Sequence, residues 1–437
     1  MSANARLPPG NLGLPLLGET LALLANPFGF LADRRKRHGN VFKSRVVGQR
    51  VVFLSGLEGA EVFYDPDNVS RANAHPFPLL DLFGGANMQM FDGERHRALK
   101  TMAMTTFDHA AIGGYLPALE ALVGRALARL AAAGGPVRVA LELRKLVIEV
   151  ICQNVLGLPP GPETDAVCAD YGAVLSGMVS LPVALPGSRY ARARAARDRV
   201  LARIRGVVTA RRTEPRADAL SRMLGAKAEG GHVFTDDEAV LEVHHIVIAG
   251  FIVYALLSEV TRRLAEDPAL RARCEAEVRD HAASGPLTME SLAKLRACLA
   301  VVLEAKRYVP IVPLVFGRAK RAFACAGFEV PAGWLVYLAL GVHNRDPAIY
   351  RDPDRFDPDR FGPERAEHRK HEMAFIPQGK GAHACLGLDY STFITLSYLA
   401  LLVRGYTWEL PPQDMTYDWK TIPPEPRSGM QVLFRAR

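Results

Sequence analysis

The feature that most constrains this chain is the long, mainly apolar helix expected from about Asp236 to Ala265. Thr235-Asp-Asp-Glu238 opens it as a capping box, in which the hydroxyl and the Glu side chain satisfy the first free amides. A helix that is hydrophobic nearly all round has no solvent face, so it must run through the middle of the molecule. The 437 residues, 49% hydrophobic and 23% charged, can build the core that such a helix needs, and a disordered chain is excluded.

Helical patterning dominates residues 57–320, including Glu94–Phe107, Leu116–Ala133, Val139–Leu156 and a basic amphipath from Ser188 to Arg212. Before it, Pro27–His38 reads as a helix and Asn40–Gly56 as a hairpin around Gly48. After it, Phe323–Gly341 reads as strand–turn–strand about Pro331-Ala-Gly333, and Arg345–Glu372 is a charged, proline-rich meander. A final helix spans Leu388–Arg404. No Gly/Ser or Pro linker and no repeat divides the chain. The expectation is therefore one mainly α domain over 1–437 with a small β portion, in which residues 1–25 form a Pro/Gly-rich lead-in.

The charge balance, 54 Lys+Arg against 46 Asp+Glu, is mildly basic. It favours acidic protein partners and gives no ground for nucleic-acid binding. The six cysteines are scattered without a C-x-x-C pair, which excludes a disulfide scaffold or zinc ribbon and fits a reducing cytoplasm. Prolines and glycines break every apolar run of the amino-terminal segment, so neither a signal peptide nor a transmembrane segment is expected there.

The chemistry concentrates just before the last helix. Gly379, Gly381, His383, Cys385 and Gly387 alternate there, in the pattern G-x-H-x-C-x-G. The glycines let the backbone approach a flat object closely. Cys385 stands at a helix N-terminus, where free amides and the helix dipole stabilise a thiolate suited to bind haem iron.

At these residues the sequence resembles the cytochrome P-450 superfamily of haem-thiolate enzymes. Glu304-Ala-Lys-Arg307 is similar to the family's E-x-x-R pair, Tyr308-Val-Pro310-Ile-Val-Pro313 to its proline-rich exit, and Asp357-Pro-Asp-Arg360-Phe361 to its P-E-R-F element. The resemblance implies the triangular, single-domain helical P-450 fold, and haem b with Cys385 as its metal ligand. It also implies a structural triad of Glu304, Arg307 and Arg360. Gly93–Lys100 resembles the helix whose basic residues bind haem propionates, which places His96 and Lys100 on one helical face toward the cofactor. Arg318 and His383 are further propionate candidates, although the family's arginine stands one position earlier, at Gly317.

The resemblance breaks on the long helix. The oxygen-activating motif, A-G-x-(Asp/Glu)-Thr, reads Ala249-Gly250-Phe251-Ile252-Val253. Ala249 and Gly250 remain, but Ile252 and Val253 carry no group able to relay the protons that oxygen activation consumes. Three enzyme readings follow. A monooxygenase would draw its relay from the substrate or another residue such as His245, one turn before Ala249. A peroxygenase would use hydrogen peroxide, and Phe375-Ile-Pro-Gln378-Gly379 does resemble the fatty-acid peroxygenase branch, which also lacks the alcohol. A redox-neutral isomerase or lyase would need no external oxidant. A non-catalytic haem-binding sensor is the reading from another class. Gln378 is a second departure, since the family places an aromatic residue there.

By the same resemblance His75–Phe91 covers the substrate. Phe77, Leu79, Leu80, Leu82 and Phe83 would line the pocket from that loop, with His245, Ile248 and Ile252 from the long helix. Ile311, Val312 and Leu314 would close it from the segment after Arg307. Walls this apolar favour a hydrophobic small molecule such as a terpenoid, fatty acyl chain or polyketide. Basic residues at Arg34–Arg37 and Arg95–Lys100 would receive an acidic ferredoxin, paired with its reductase, as electron donor.

Overall fold

The computed structural model describes residues 6–309, 311–420 and 422–437. Pro310, the first proline of the exit motif, lies outside the described residues, as do Met1–Ala5 and Thr421.

The long helix lies at the centre. It starts at Asp236 with both halves of the Thr235/Glu238 capping box in place. It is not continuous as expected: one helix runs Asp236–Phe251 and a second Tyr254–Glu266. At the joint the Val253 amide bonds to the Gly250 carbonyl (3.0 Å), and that of Ala255 to Ile252 (3.2 Å). These are i→i−3 bonds that tighten the turn locally. A flexible glycine followed two residues later by two β-branched side chains is a local sequence that yields readily there. By length and composition the combined segment could cross a membrane, but 78% of its most apolar window is buried within the protein. It is a core helix.

Helices wrap it. Val139–Ile151 packs on its rear, so closely that a Cβ on Gly250 would stand 2.4 Å from the Ile151 Cδ1. The basic helix Arg189–Thr213 and its partner Pro162–Met178 cover one flank. Below lie Leu388–Gly405 and Arg296–Tyr308, packed against each other and each against Tyr254–Glu266. Together these elements form the main hydrophobic core.

The β portion stands to one side as a five-stranded sheet in the order Val41–Val46, Gln49–Leu54, Leu335–Leu338, Val315–Ala319, Val69–Ser70. Val51–Leu54 and Leu335–Leu338 pair in parallel and are buried on both faces, which is why each reads as an unbroken apolar run. The strand–turn–strand expected about Pro331–Gly333 resolves differently. Phe323–Cys325 and Phe328–Val330 pair around Ala326-Gly327, both with positive φ, and the Pro331–Gly333 turn instead leads into the large sheet.

Candidate active site

The site is built from below. Glu304 and Arg307 occupy successive positions on one face of the Arg296–Tyr308 helix, one turn apart, and their side chains are fully buried. Arg307 grips Glu304 through Nε–Oε2 (2.7 Å) and Nη2–Oε1 (2.8 Å). Arg360, from the 3₁₀ turn Pro358–Phe361, donates Nε to the same Oε1 (3.2 Å) and Nη1 to Glu367 Oε2 (2.8 Å). Two guanidiniums thus meet two carboxylates, and the spare donors are taken by the carbonyls of Asn344, Pro353 and Arg351. A buried set of charges is tolerable only when satisfied to this degree. The network fastens the polar meander beneath the helices and sets the height of the loop that follows it.

That loop carries Cys385 over this floor. The Cys385 amide donates to the Gln378 carbonyl (2.8 Å), while Gly379 and Gly381 turn with φ of 83° and 65°. Gly387 is the N-cap of Leu388–Gly405, which puts the sulfur at the positive end of that helix. Cys385 is partly buried and lies deep in the molecule, so what remains open of it faces an internal space. Burial pushes its thiol up, while the Gly387 amide, Lys306, Gln378 and Lys100 all favour the anion. A metal ion on the sulfur would complete that set and hold the thiol deprotonated.

Beside the loop the structure gathers a cluster of nitrogen donors. His96 and His383 stack at 3.9 Å between ring centres. Lys100 donates to the carbonyls of Ala384 (2.8 Å) and Ala382. Arg71 is buried, and among the described residues it has no carboxylate partner at ion-pair distance and its Nε no hydrogen-bond partner. Burial first, then the Arg71 charge among others, pushes the imidazoles of His75 and His383 down to about 3; burial and then Lys100 lower His96 to about 4. A buried, unpaired guanidinium among imidazoles held neutral is a place made for anionic groups. Carboxylates of a flat cofactor held by Cys385 would satisfy it, so the residues present fit haem b. Arg318 stands apart from this set: its guanidinium donates to the carbonyls of Gly333 (2.8 Å) and Asn73 (3.2 Å). A side chain at Gly317 would collide with Val69 and Phe63, which explains why the arginine is displaced by one residue and turned to the other face of the strand.

On the opposite side, Ala249, Gly250 and Ile252 are part-exposed although their helix is central, so they too border the interior space. One turn back, His245 is buried with its ring edge-on to Phe83 at 5.6 Å. Its Nδ1 lies 3.7 Å from Glu242 Oε2, and among the described residues neither atom has a hydrogen-bond partner. Glu242 Oε1 accepts the amide of Met88. His244, the next residue, is fully used: Nε2 donates to the Leu82 carbonyl (3.0 Å) and Nδ1 accepts from the Tyr171 hydroxyl (3.1 Å).

The residues expected to line the pocket separate into groups. Phe83, Ile248, Ile252 and Ile311 pack in or against the core around the central helix, and Leu82 is fully buried within it. Leu79 is half-buried. Phe77 and Leu80 are 66% and 37% exposed and line an outer groove of about 390 Å³ with Asp81, Arg197 and Leu201. Their helix, Phe77–Leu82, turns Pro78 and Leu82 inward instead. Leu314 joins the core beside the large sheet, and Val312 is 41% exposed.

Three residues escape a reading of the sequence. Arg71 follows a two-residue strand in a loop without a motif. Glu242 is the one acid beyond the first turn of the Asp236–Phe251 helix, and its position one turn before His245 is the signal that could have found it. Lys306 hides inside Glu304–Arg307 as a variable position, yet it is buried and donates to Gln378 Oε1 (2.7 Å). Burial pushes its ammonium down to about 8 against the opposing pull of Cys385.

A fold with a central helix over a cysteine loop, locked from below by Glu304, Arg307 and Arg360, defines a haem-thiolate protein. The family model for Cytochrome P450 matches residues 8–426, and the chain belongs to that family. It is 27% identical to a putative cytochrome P450 120 from Synechocystis sp. over 98% of this chain and 97% of that one. It is also 27% identical to abscisic acid 8'-hydroxylase 4 from Arabidopsis thaliana, covering 99% and 93%. Among solved structures, retinoic acid-bound cyanobacterial CYP120A1 superposes with a TM-score of 0.92 at 26% identity over 99% and 100% of the two chains. Cytochrome P450EX alpha with myristic acid superposes at 0.81 and 25% identity over 99% and 100%. The protein is therefore an oxidoreductase of the haem-thiolate monooxygenase family, with haem b as cofactor.

Proposed function

We propose that this protein oxidises a hydrophobic small molecule of the terpenoid or fatty acyl kind, with Cys385 as the axial ligand. The observation that carries the reading is the setting of that sulfur, deep in the molecule at a helix N-terminus among donors and cations. When bound there, haem supplies oxidising chemistry at its iron. Arg71, His96, Lys100 and His383 would hold its acidic edge, and Gly379 and Gly381 leave room for its face. Ala249 and Ile252 border the space above, where apolar walls exclude water and orient the guest. The names of the similar proteins support the substrate class, since retinoic, myristic and abscisic acids are hydrophobic molecules of these kinds.

The proton supply separates the oxidant readings. Ile252 and Val253 can hold no proton, whereas Glu242 Oε2 and His245 Nδ1 are unpartnered, buried and 3.7 Å apart. An imidazole beside a carboxylate can hold a proton at Nδ1 and accept it back, which is what either dioxygen or peroxide chemistry requires of a distal residue. This pair favours an oxidising enzyme over a redox-neutral lyase or a sensor. Turnover would be measured with NAD(P)H, a ferredoxin and its reductase, with hydrogen peroxide alone, and with neither. Product in the first or second condition supports the oxidase reading and identifies the oxidant. Product in the third identifies an isomerase or lyase, and intact haem without product in any condition identifies a sensor. If a ferredoxin serves, its reduction rate falls with ionic strength as basic-patch docking requires.

A further inference from the structure

We infer that Lys306 and Gln378 form a clamp behind Cys385 that raises the reduction potential of the haem, an inference that rests on Cys385 as the ligand. Gln378 Nε2 stands 3.6 Å from Cys385 Sγ, within reach of a hydrogen bond to sulfur, and 3.1 Å from Ser391 Oγ. Which end of an amide faces a neighbour is ordinarily an assignment, but here the chemistry decides it. Lys306 Nζ lies 2.7 Å from the other end of the amide, and an ammonium can only donate. That end must be the carbonyl oxygen, so the NH₂ group is turned to the sulfur.

The lysine is itself fixed. Besides Gln378, the Leu388 carbonyl (2.9 Å), Ser391 Oγ (3.0 Å) and Thr392 Oγ1 (2.6 Å) lie within hydrogen-bond distance, four acceptors that share its three N–H donors. It is 4% exposed and no carboxylate among the described residues pairs with it. Its acceptors are all neutral, and of the two nearby groups that can carry negative charge, Cys385 and Asp389, the sulfur beyond the amide favours the ammonium more. A satisfied apolar packing would cost less than four neutral acceptors around an ammonium.

The sign follows from electrostatics. A donor to the thiolate, backed by a positive charge, withdraws electron density from sulfur and leaves less for the iron. The electron-poor oxidised state then loses more stabilisation than the reduced state, and the potential rises. Gln378 and Lys306 are positioning residues in this scheme, since neither touches the reacting atoms.

The test is a spectroelectrochemical titration of the purified, haem-loaded full chain, with the carbon monoxide difference spectrum recorded on each sample. Gln378→Leu, which keeps the shape and loses the donor, is expected to shift the one-electron equilibrium about tenfold toward the oxidised state, or about 59 mV. Gln378→Glu, which adds a negative charge, lowers the potential further. Lys306→Met frees the amide to turn and moves the potential in the same direction, whereas Lys306→Arg keeps a donor to Oε1 and retains most of the native value. This set remains informative if one variant fails to take up haem. Wild-type potential in Gln378→Leu and Lys306→Met, with the thiolate band intact, overturns the clamp. A wild-type protein lacking the thiolate band overturns the Cys385 reading itself, and the clamp with it.

Discussion

The floor and the roof of the site are built on opposite terms. Beneath the cysteine loop, Glu304, Arg307, Arg360 and Glu367 are buried and paired, and carbonyls of the meander take the guanidinium donors left over. Above, the central helix offers Ile252 and Val253 where the family carries an acid and an alcohol, and leaves Glu242 Oε2 and His245 Nδ1 without partners. A floor of satisfied charges is rigid, because every movement breaks a strong bond. A roof with two unpaired polar atoms costs stability and is available for chemistry. The difference teaches that the floor sets where the cofactor sits, while the roof decides what is done with it.

The largest expected effect comes from cutting the floor. Glu304→Ala leaves two guanidiniums facing each other in the core and should cost about 3–5 kcal/mol. Thermal unfolding of the haem-loaded protein would fall steeply, and an unchanged midpoint would mean that the network is not structural. The roof should answer differently. Glu242→Gln and His245→Phe are expected to lower turnover about a hundredfold, at the low end for loss of a positioned proton donor. Their unfolding midpoints should barely move. If turnover survives both changes, the protons come from the guest and the contrast between roof and floor weakens.

Val253→Thr sharpens the comparison from the other side. The hydroxyl can bond back to a carbonyl of its own helix, so the stability change should stay within about 1 kcal/mol. Oxygen-dependent turnover should rise severalfold if a missing alcohol limits it, and kinetics with NAD(P)H and redox partners would read this out. The smallest effect is that of acid. Burial pushes the Glu367 and Asp357 carboxyls up, but bonds from Arg365, and for Glu367 also from Arg360, outweigh it and hold both below their usual range. Groups held low in the folded state stabilise it above the ordinary carboxyl pKa of about 4 and lose that contribution as pH falls. Proteolysis of the meander should therefore increase below that pH, before the core helices open. Simultaneous loss of both would show that the floor has no separate weakness.

Much of this was legible in the residues, and the reason is spacing. Cys385 with its glycines, and Glu304 with Arg307, act over distances of one turn or one loop, so a linear pattern reveals them. Arg360 was legible because its own motif is local, even though its partner is 56 positions away. Arg71 was not, since its neighbours His75, His96 and His383 come from three separate segments and no pattern marks it. Lys306 was hidden by the motif that contains it. The joint at Ile252–Val253 was legible only in part: Ala249 and Gly250 allow the helix to bulge there, but apolar periodicity passes through without a break, and the hydrogen-bond ladder is what places the change of turn.

Two bonds made by the central helix fix the position of the covering loop. His244 holds the Leu82 carbonyl and Glu242 holds the Met88 amide, so the loop is pinned to the helix at both ends. Between the pins lie only Phe83, Gly84, Gly85, Ala86 and Asn87, and both glycines have positive φ. Five residues held at both ends can shift only over a short span, and the two glycines are where that movement is easiest. Because the glutamate that holds this loop is also the one proposed to hold a proton, the position of the loop and the proposed chemistry would share a single side chain.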